Sequence, residues 1–439
     1  MIVYSHNTSP RLQYIIHFLS HYFNHSFQFT EDTNVFLSSA DAKINYSTGP
    51  IDANEIWIKS VDLLFENKIS PVSINCFTHE GGFTAFFKTD DDIGFDMLAA
   101  IFYLLSRYEE YLPHQKDVYG RYAHENSLAF KNDFLHRPLI NIWLEHFKKI
   151  LAEKKSKFIP FNAGQNSNFS FLPTYDIDIA WSYKNKGFLR NAGGLLGSIA
   201  KINFVDIRER VKALTGKNND PFDSYYWMDT MHVKYKLNPI YFFHVGKERN
   251  KYDKNISVNN KNFRQLIKTI AASNSIGLHP SWHSGDQSFL IRKEKNTLEN
   301  ITSQNISASR QHYIRLTLPH TYRELIQAGI SDDYSMGYGS INGFRASVTT
   351  SFYWYDLEKE KQTSLLLHPF CFMDANAFFE QKLTADQALD EMLSYYKTIK
   401  NVSGQMITIW HNTFLGTDKM YVGWREVYEK FIKIIFSSD

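Results

Sequence analysis

The rhythm of apolar and polar residues changes near residue 165. Before that point, short alternating stretches such as Asn34–Ser38 and Ile56–Lys59, set among Asn, Ser and Thr, predict strands and loops. Apolar residues at helical spacing then predict a helix over Phe95–Tyr111, stopped by Pro113. A second helix is predicted over Pro138–Leu151, which proline can open because the first-turn N–H needs no partner. The Lys-rich stretch from Lys148 to Lys157, then Pro160 and the polar run Asn162–Asn168, predict a boundary and a linker. From Phe169 onward, short apolar segments alternate with helical patterns. Strands are predicted over Phe171–Asp178, Ile240–Val245, Ile276–Pro280, Leu365–Phe370 and Met406–His411, with weaker ones near Gln311–Leu316 and Ile330–Tyr334. Helices are predicted over Phe222–Tyr235, Asn262–Ser273, Leu318–Ala328, Ala385–Ile399 and Val422–Ile435. Strands alternating with helices imply parallel pairing, and about seven such units close into a barrel rather than an open sheet. The expected architecture is α/β: a smaller α+β domain over residues 1–165, then a (β/α) barrel over residues 166–439.

Composition narrows the function classes. A chain of 439 residues suits two domains, and an apolar fraction of 43% can fill a large core. The aromatic fraction of 16% fits a dense core first and a sugar-stacking groove second. With 48 basic and 46 acidic residues the net charge is only +2, so no nucleic-acid partner is expected. Cys76 and Cys371 lie far apart, which argues against a disulfide framework and is compatible with a reducing compartment. The start, MIVYSHNTSPRLQYIIHFL, lacks a basic region followed by an apolar core and a small-residue cleavage site. The longest apolar run, Met97–Leu105, is too short to span a bilayer. The expectation is a cytoplasmic protein with no membrane span. Neither cysteine has a local His or Asn signature for nucleophilic catalysis. No Walker or dinucleotide-binding glycine pattern appears, and GGLLGS near Gly193 follows no suitable strand.

The chemistry sits at predicted strand ends, where β/α barrels place their catalysts. Asp176 and Asp178 end the first strand (FLPTYDID). His279 and His283 end the third (IGLHPSWHS), and His411 ends the last (ITIWHN). A spacing of two puts both aspartates on one face, where their repulsion calls for a cation or a shared proton. Pro280 breaks the strand after His279, so the chain can turn and bring His283 back to the same point. Two His and a carboxylate are a common set for Zn²⁺ or a similar divalent ion. His368, in LLLHPF, rivals His411. Arg345, in the loop NGFRAS, could orient a carboxylate; Asp332, Asp333, Arg310 and Asp356 are further candidates.

These motifs resemble those of the NodB-homology polysaccharide deacetylases, carbohydrate esterase family 4, from Phe171 to the C-terminus. TYDID resembles the family's first motif in a D-x-D form, which assigns the catalytic base to Asp176 and a metal ligand to Asp178. HPSWH looks like the second motif, with Pro280 in place of a hydroxyl residue, and implies His279 and His283 as the other ligands. GFRAS looks like a reduced third motif, making Arg345 the partner of Asp176. ITIWHN resembles the last motif, whose His is the general acid; this favours His411 over His368. Trp354-Tyr355-Asp356 is a candidate for the fourth. The resemblance implies a distorted (β/α)7-type barrel. The stretches FYLLSRYEEYLPH and YGRY make the first part similar to an uncharacterised domain fused to such deacetylases in Bacteroidetes-type bacteria.

The implied activity is metal-dependent removal of an acetyl group from an N-acetylated sugar or polysaccharide precursor. The cofactor would be a divalent metal, zinc first, with cobalt, nickel or iron as alternatives. The partner would be a carbohydrate substrate. Two rival readings stand beside it: a metal-dependent hydrolase of a non-sugar amide or imide, and an inactive glycan-binding barrel.

Overall fold

A computed structural model describes residues 1–154 and 169–437. The expected boundary at 165 and the linker over 162–168 lie outside the described residues.

The first part is built on four parallel strands. They are β1 (Ile2–Tyr4), β2 (Gln28–Thr30), β3 (Lys43–Ser47) and β4 (Glu55–Lys59), in the order β2-β1-β3-β4. The strand expected at 34–38 is instead the helix Thr33–Ser38. The Asp32 side chain accepts the Asn34 and Val35 N–H groups and so caps a helix where alternation alone suggested a strand. The helix expected over 95–111 stops at Leu105. Arg107 then takes a left-handed conformation, φ 54°, and a 3-10 turn covers Tyr108–Tyr111. The next helix, Leu139–Lys154, falls where helical spacing put it.

The second part holds a nine-stranded sheet. Its strands are β5 (Ser170–Ile177), β6 (Ile240–Phe243), β7 (Ser275–Leu278), β8 (Ala308–Ser309), β9 (Asp332–Asp333), β10 (Phe352–Asp356), β11 (Lys361–Leu367), β12 (Phe372–Met373) and β13 (Gln405–His411). The order is β10-β11-β9-β8-β7-β6-β5-β13-β12. All neighbours pair parallel except β10 with β11. The strand expected at 311–316 is displaced to Ala308–Ser309, and His312–Ile314 form a 3-10 turn instead. Helices cover the sheet at Tyr225–Tyr235, Lys261–Ala271, Ala385–Lys400 and Trp424–Phe436, close to the expected spans.

The sheet must curl. β11 and β12 lie seven inter-strand spacings apart in the sheet order, which is ~34 Å if flat. The chain from Leu367 to Phe372 takes only five Cα steps, ~19 Å at full stretch. The two ends of the sheet are therefore brought together: the Phe370 N–H bonds to the Met336 carbonyl, after β9, and the next N–H, of Cys371, to the Ile407 carbonyl of β13, both at 3.3 Å. The result is an incomplete barrel with hydrogen-bonded edges at β10 and β12, not a closed ring of seven βα units.

One apolar cluster runs through both parts of the chain. Polar ties cross it too. Arg345 donates to both oxygens of Glu110, at 2.9 and 2.5 Å, and Arg107 donates to Glu110 at 2.8 Å. All three side chains are at most 3% exposed. Burial would raise the Glu110 pKa, but the two guanidinium groups outweigh it and hold it at about 2. A folded pKa below the unfolded value of 4.5 means the stabilisation is complete above about pH 4.5. It is lost as pH falls toward 2, and amounts to about 3 kcal/mol. Urea midpoints measured across this window should drop steeply. Glu110→Gln should lower the neutral-pH stability by roughly 3–5 kcal/mol, because it leaves the buried Arg345 without a carboxylate while Arg107 keeps Glu109, and should flatten that acid dependence. An unchanged pH profile would show that the triad contributes nothing.

Candidate active site

Register places the polar residues. In β13 against β5, His411 pairs with Asp176, so both project from one level of the sheet on one face. Asp178 lies just beyond the end of β5. His279 follows β7, and β8 beside it delivers Arg310, Gln311 and His312. The Arg310 N–H donating to the Leu278 carbonyl at 3.0 Å fixes that alignment. Asp176, Asp178, His279, Gln311, His312 and His411 line a cavity of about 520 Å³ at the C-terminal ends of the parallel strands.

Three imidazoles converge on Asp178. The Nε2 atoms of His279, His312 and His411 lie 3.0, 3.4 and 3.5 Å from its oxygens. Each ring is anchored through its other nitrogen. His279 Nδ1 is 2.7 Å from the Arg310 carbonyl. His312 Nδ1 is 3.1 Å from Asp253, and His411 Nδ1 is 2.6 Å from Asp374. A carbonyl oxygen can only accept, so His279 Nδ1 carries the proton, and in the neutral ring Nε2 is a bare lone pair. That lone pair faces Asp178 Oδ1, which is buried without a hydrogen-bond donor. Two acceptors 3.0 Å apart repel unless a cation or a proton lies between them. Asp178, His279 and His312 bring one ligand atom each to within 4.8 Å of the others. A carboxylate and two imidazoles are a divalent-metal donor set that leaves positions open.

The surrounding charges set the protonation. Burial opposes ionisation of Asp178, but His312 and His279 hold its pKa well below the usual carboxylate range. Burial would lower His312, yet Asp178 and Asp253 push it up to about 9. His411 is likewise pulled down by burial and pushed up more strongly by Asp374, then Asp178 and Asp176, to about 10. Asp253 also accepts the Trp282 N–H and lies 3.6 Å from His244 Nε2. It shares with His244 and His312 a second cluster of potential ligand atoms, all buried.

Asp176 is 2% exposed and lies 2.9 Å from Arg310 Nη1. Arg310 is itself fixed by the Thr174 hydroxyl and the Tyr334 carbonyl, with its guanidinium over the Phe242 ring. Arg310 therefore holds the position expected of Arg345, which is committed to Glu110 and the Gly337 carbonyl instead.

His283 is also placed elsewhere. After Pro280 the chain enters a 3-10 turn, Trp282–Gly285, fastened by the Trp282 N–H on Asp253 and by Trp282 stacking on Tyr252 at 3.8 Å. That turn carries His283 away, into a small separate recess with Lys247, Ser281 and Glu294. His312 stands where His283 was expected. The structure thus brings Asp176, Asp178, His279 and His411 together and leaves Arg345 and His283 out. His312, Asp253 and Asp374 went unread in the sequence. A correct two-residue strand at Ala308–Ser309 would have pointed to His312; Asp253 and Asp374 give no local signal.

Comparison with known proteins adds the following. Residues 1–156 match a family of unknown function, DUF7033. No curated protein matches. Among solved structures, the chain is similar to a Mycobacterium smegmatis protein described as a polysaccharide deacetylase, with 12% identity and a TM-score of 0.40 over 63% of this chain and 86% of that one. It is also similar to the Puue allantoinase, with 11% identity and a TM-score of 0.39 over 63% and 87%. A Bacillus cereus polysaccharide deacetylase has 11% identity and a TM-score of 0.29 over 61% and 88%. At these values the likenesses bear on neither substrate nor residue roles.

The geometry separates the histidines by experiment. Elemental mass spectrometry should find about one divalent metal per chain in the wild type and in His283→Ala. In His279→Ala and in His312→Ala it should find less than about a tenth of that. Loss in His283→Ala with retention in His312→Ala would refute this ligand set.

Proposed function

We propose that this chain is a metal-dependent hydrolase that removes an acetyl group from an N-acetylated sugar or polysaccharide precursor. The observation that carries the reading is the opposed pair of acceptors, Asp178 Oδ1 and His279 Nε2, beside a buried carboxylate and a protonated imidazole. Asp178, His279 and His312 would hold the ion. When bound, a divalent metal supplies Lewis acidity toward a carbonyl and toward water.

The chain's own residues then divide the proton work. Asp176, oriented by Arg310, accepts the proton of the attacking water. The water oxygen adds to the acyl carbon. His411, held charged at neutral pH and aligned by Asp374, gives its proton to the leaving nitrogen. The products are acetate and a free amine. A carboxylate held by a guanidinium, next to an imidazole that Asp374 keeps charged, supports hydrolysis over binding alone. The cavity walls carry Tyr119, Phe222, Tyr313, Phe414 and Tyr421, which supports a ring-shaped substrate such as a pyranose. Among the described residues no helix is long and apolar enough to cross a membrane.

The test is acetate release from N-acetylated oligosaccharides by zinc- or cobalt-loaded protein. Asp176→Asn and His411→Ala should each retain the metal while lowering kcat by roughly 10²–10⁴-fold. Full activity in Asp176→Asn would exclude its role as base. Metal binding without turnover on any sugar or non-sugar amide would leave only a binding site.

A further inference from the structure

Between Asp178 and the helix at Tyr225, the chain runs out into two helices, Phe188–Ala200 and Phe204–Leu214. Ser198 and Tyr183 bond to Asp206 across the pair. Of their own side chains, only Ser198 and Ala213 are buried. The large apolar residues face outward: Phe188 is 84% exposed, Leu189 85%, Leu196 67%, Ile202 72% and Phe204 71%. An apolar patch of this kind marks an interaction surface.

Charge says what covers it. Residues 184–217 carry eight Lys or Arg against only Asp206 and Glu209, in a chain whose whole net charge is +2. Lys186, Arg190, Arg210 and Arg249 crowd together. Burial, then Arg190 and the other two guanidinium groups, bring the Lys186 ammonium down to about 8, with Asp220 opposing. Arg190 Nη1 and Arg210 Nε are buried without hydrogen-bond partners. The cations and apolar side chains together match the interfacial zone of an anionic bilayer. With 13 and 11 residues, the helices are too short to span one. A second copy is a poorer fit, because self-pairing would oppose two strongly basic surfaces.

The patch also reaches toward the cavity. Glu209 feels the charges of Asp418 and Lys419. In the following turn Met420 and Val422 are 54% and 77% exposed, while Tyr421 between them lines the cavity.

We propose that this helical pair docks the protein on an anionic lipid bilayer. Its apolar side chains enter the headgroup boundary, its cation cluster meets lipid phosphates, and the cavity opens beside the membrane surface. The proposal stands on this surface alone and does not depend on the hydrolase reading.

The test is co-sedimentation of the full chain with vesicles of phosphatidylcholine, alone or with phosphatidylglycerol added to about 30%. Binding to the anionic vesicles should be at least about tenfold tighter and should weaken with added salt. Leu189→Glu combined with Phe204→Glu should abolish it without changing the melting temperature or metal content. Arg190→Glu should weaken it. Equal affinity for both vesicle types, or undiminished binding by the double variant, would overturn the proposal. So would a dimer in light scattering that the double variant splits while no vesicle is bound.

Discussion

The site depends on one electrostatic conflict. Asp178 stands at the end of a buried strand with the Nε2 atoms of three imidazoles directed at it. Anchoring each Nδ1 leaves each Nε2 free to face inward, and the anchors come from three other places in the chain. A backbone carbonyl from β8 holds His279, Asp253 holds His312, and Asp374 holds His411. The anchors differ in kind. A carbonyl only accepts the Nδ1 proton, whereas a carboxylate also favours the charged ring. In the proposed reaction His279 and His312 would hold the ion and His411 would give up its proton. The same side-chain type takes different chemistry from its second neighbour.

Much of this was legible where the chemistry is local. The apolar runs that became β5, β7 and β13 end in Asp, His and His, and a strand's polar terminus is visible without any tertiary information. The helices with wide apolar faces, such as Lys261–Ala271 and Ala385–Lys400, were also plain from spacing. Two-residue strands were not. Ala308–Ser309 and Asp332–Asp333 exist because neighbours on both sides supply hydrogen bonds, and no periodicity survives at that length. Missing the first of them hid His312.

The two misplaced residues fail for a related reason. A motif spacing fixes how many residues separate two side chains, but not the turn between them. In H-P-S-W-H the turn is decided by where Trp282 finds its stacking partner and its acceptor, Tyr252 and Asp253, about thirty residues upstream. Arg345 was claimed by Glu110 from the other part of the chain, while Arg310, two residues before His312, fell within reach of Asp176. Arginines are hard to assign from sequence because their long side chains choose among distant carboxylates.

The buried triad of Arg107, Glu110 and Arg345 bears on how the chain can be divided. Dissecting the two parts would leave Arg345 as a lone cation in an apolar wall on one fragment, and Glu110 one guanidinium short on the other. Tyr119 and Arg121, also from the first part, would be stripped from the cavity they line. The triad works as a mutual lock that ties the inheritance of one part to the other. A lineage that shed the first 156 residues would first have to replace Arg345 with something neutral.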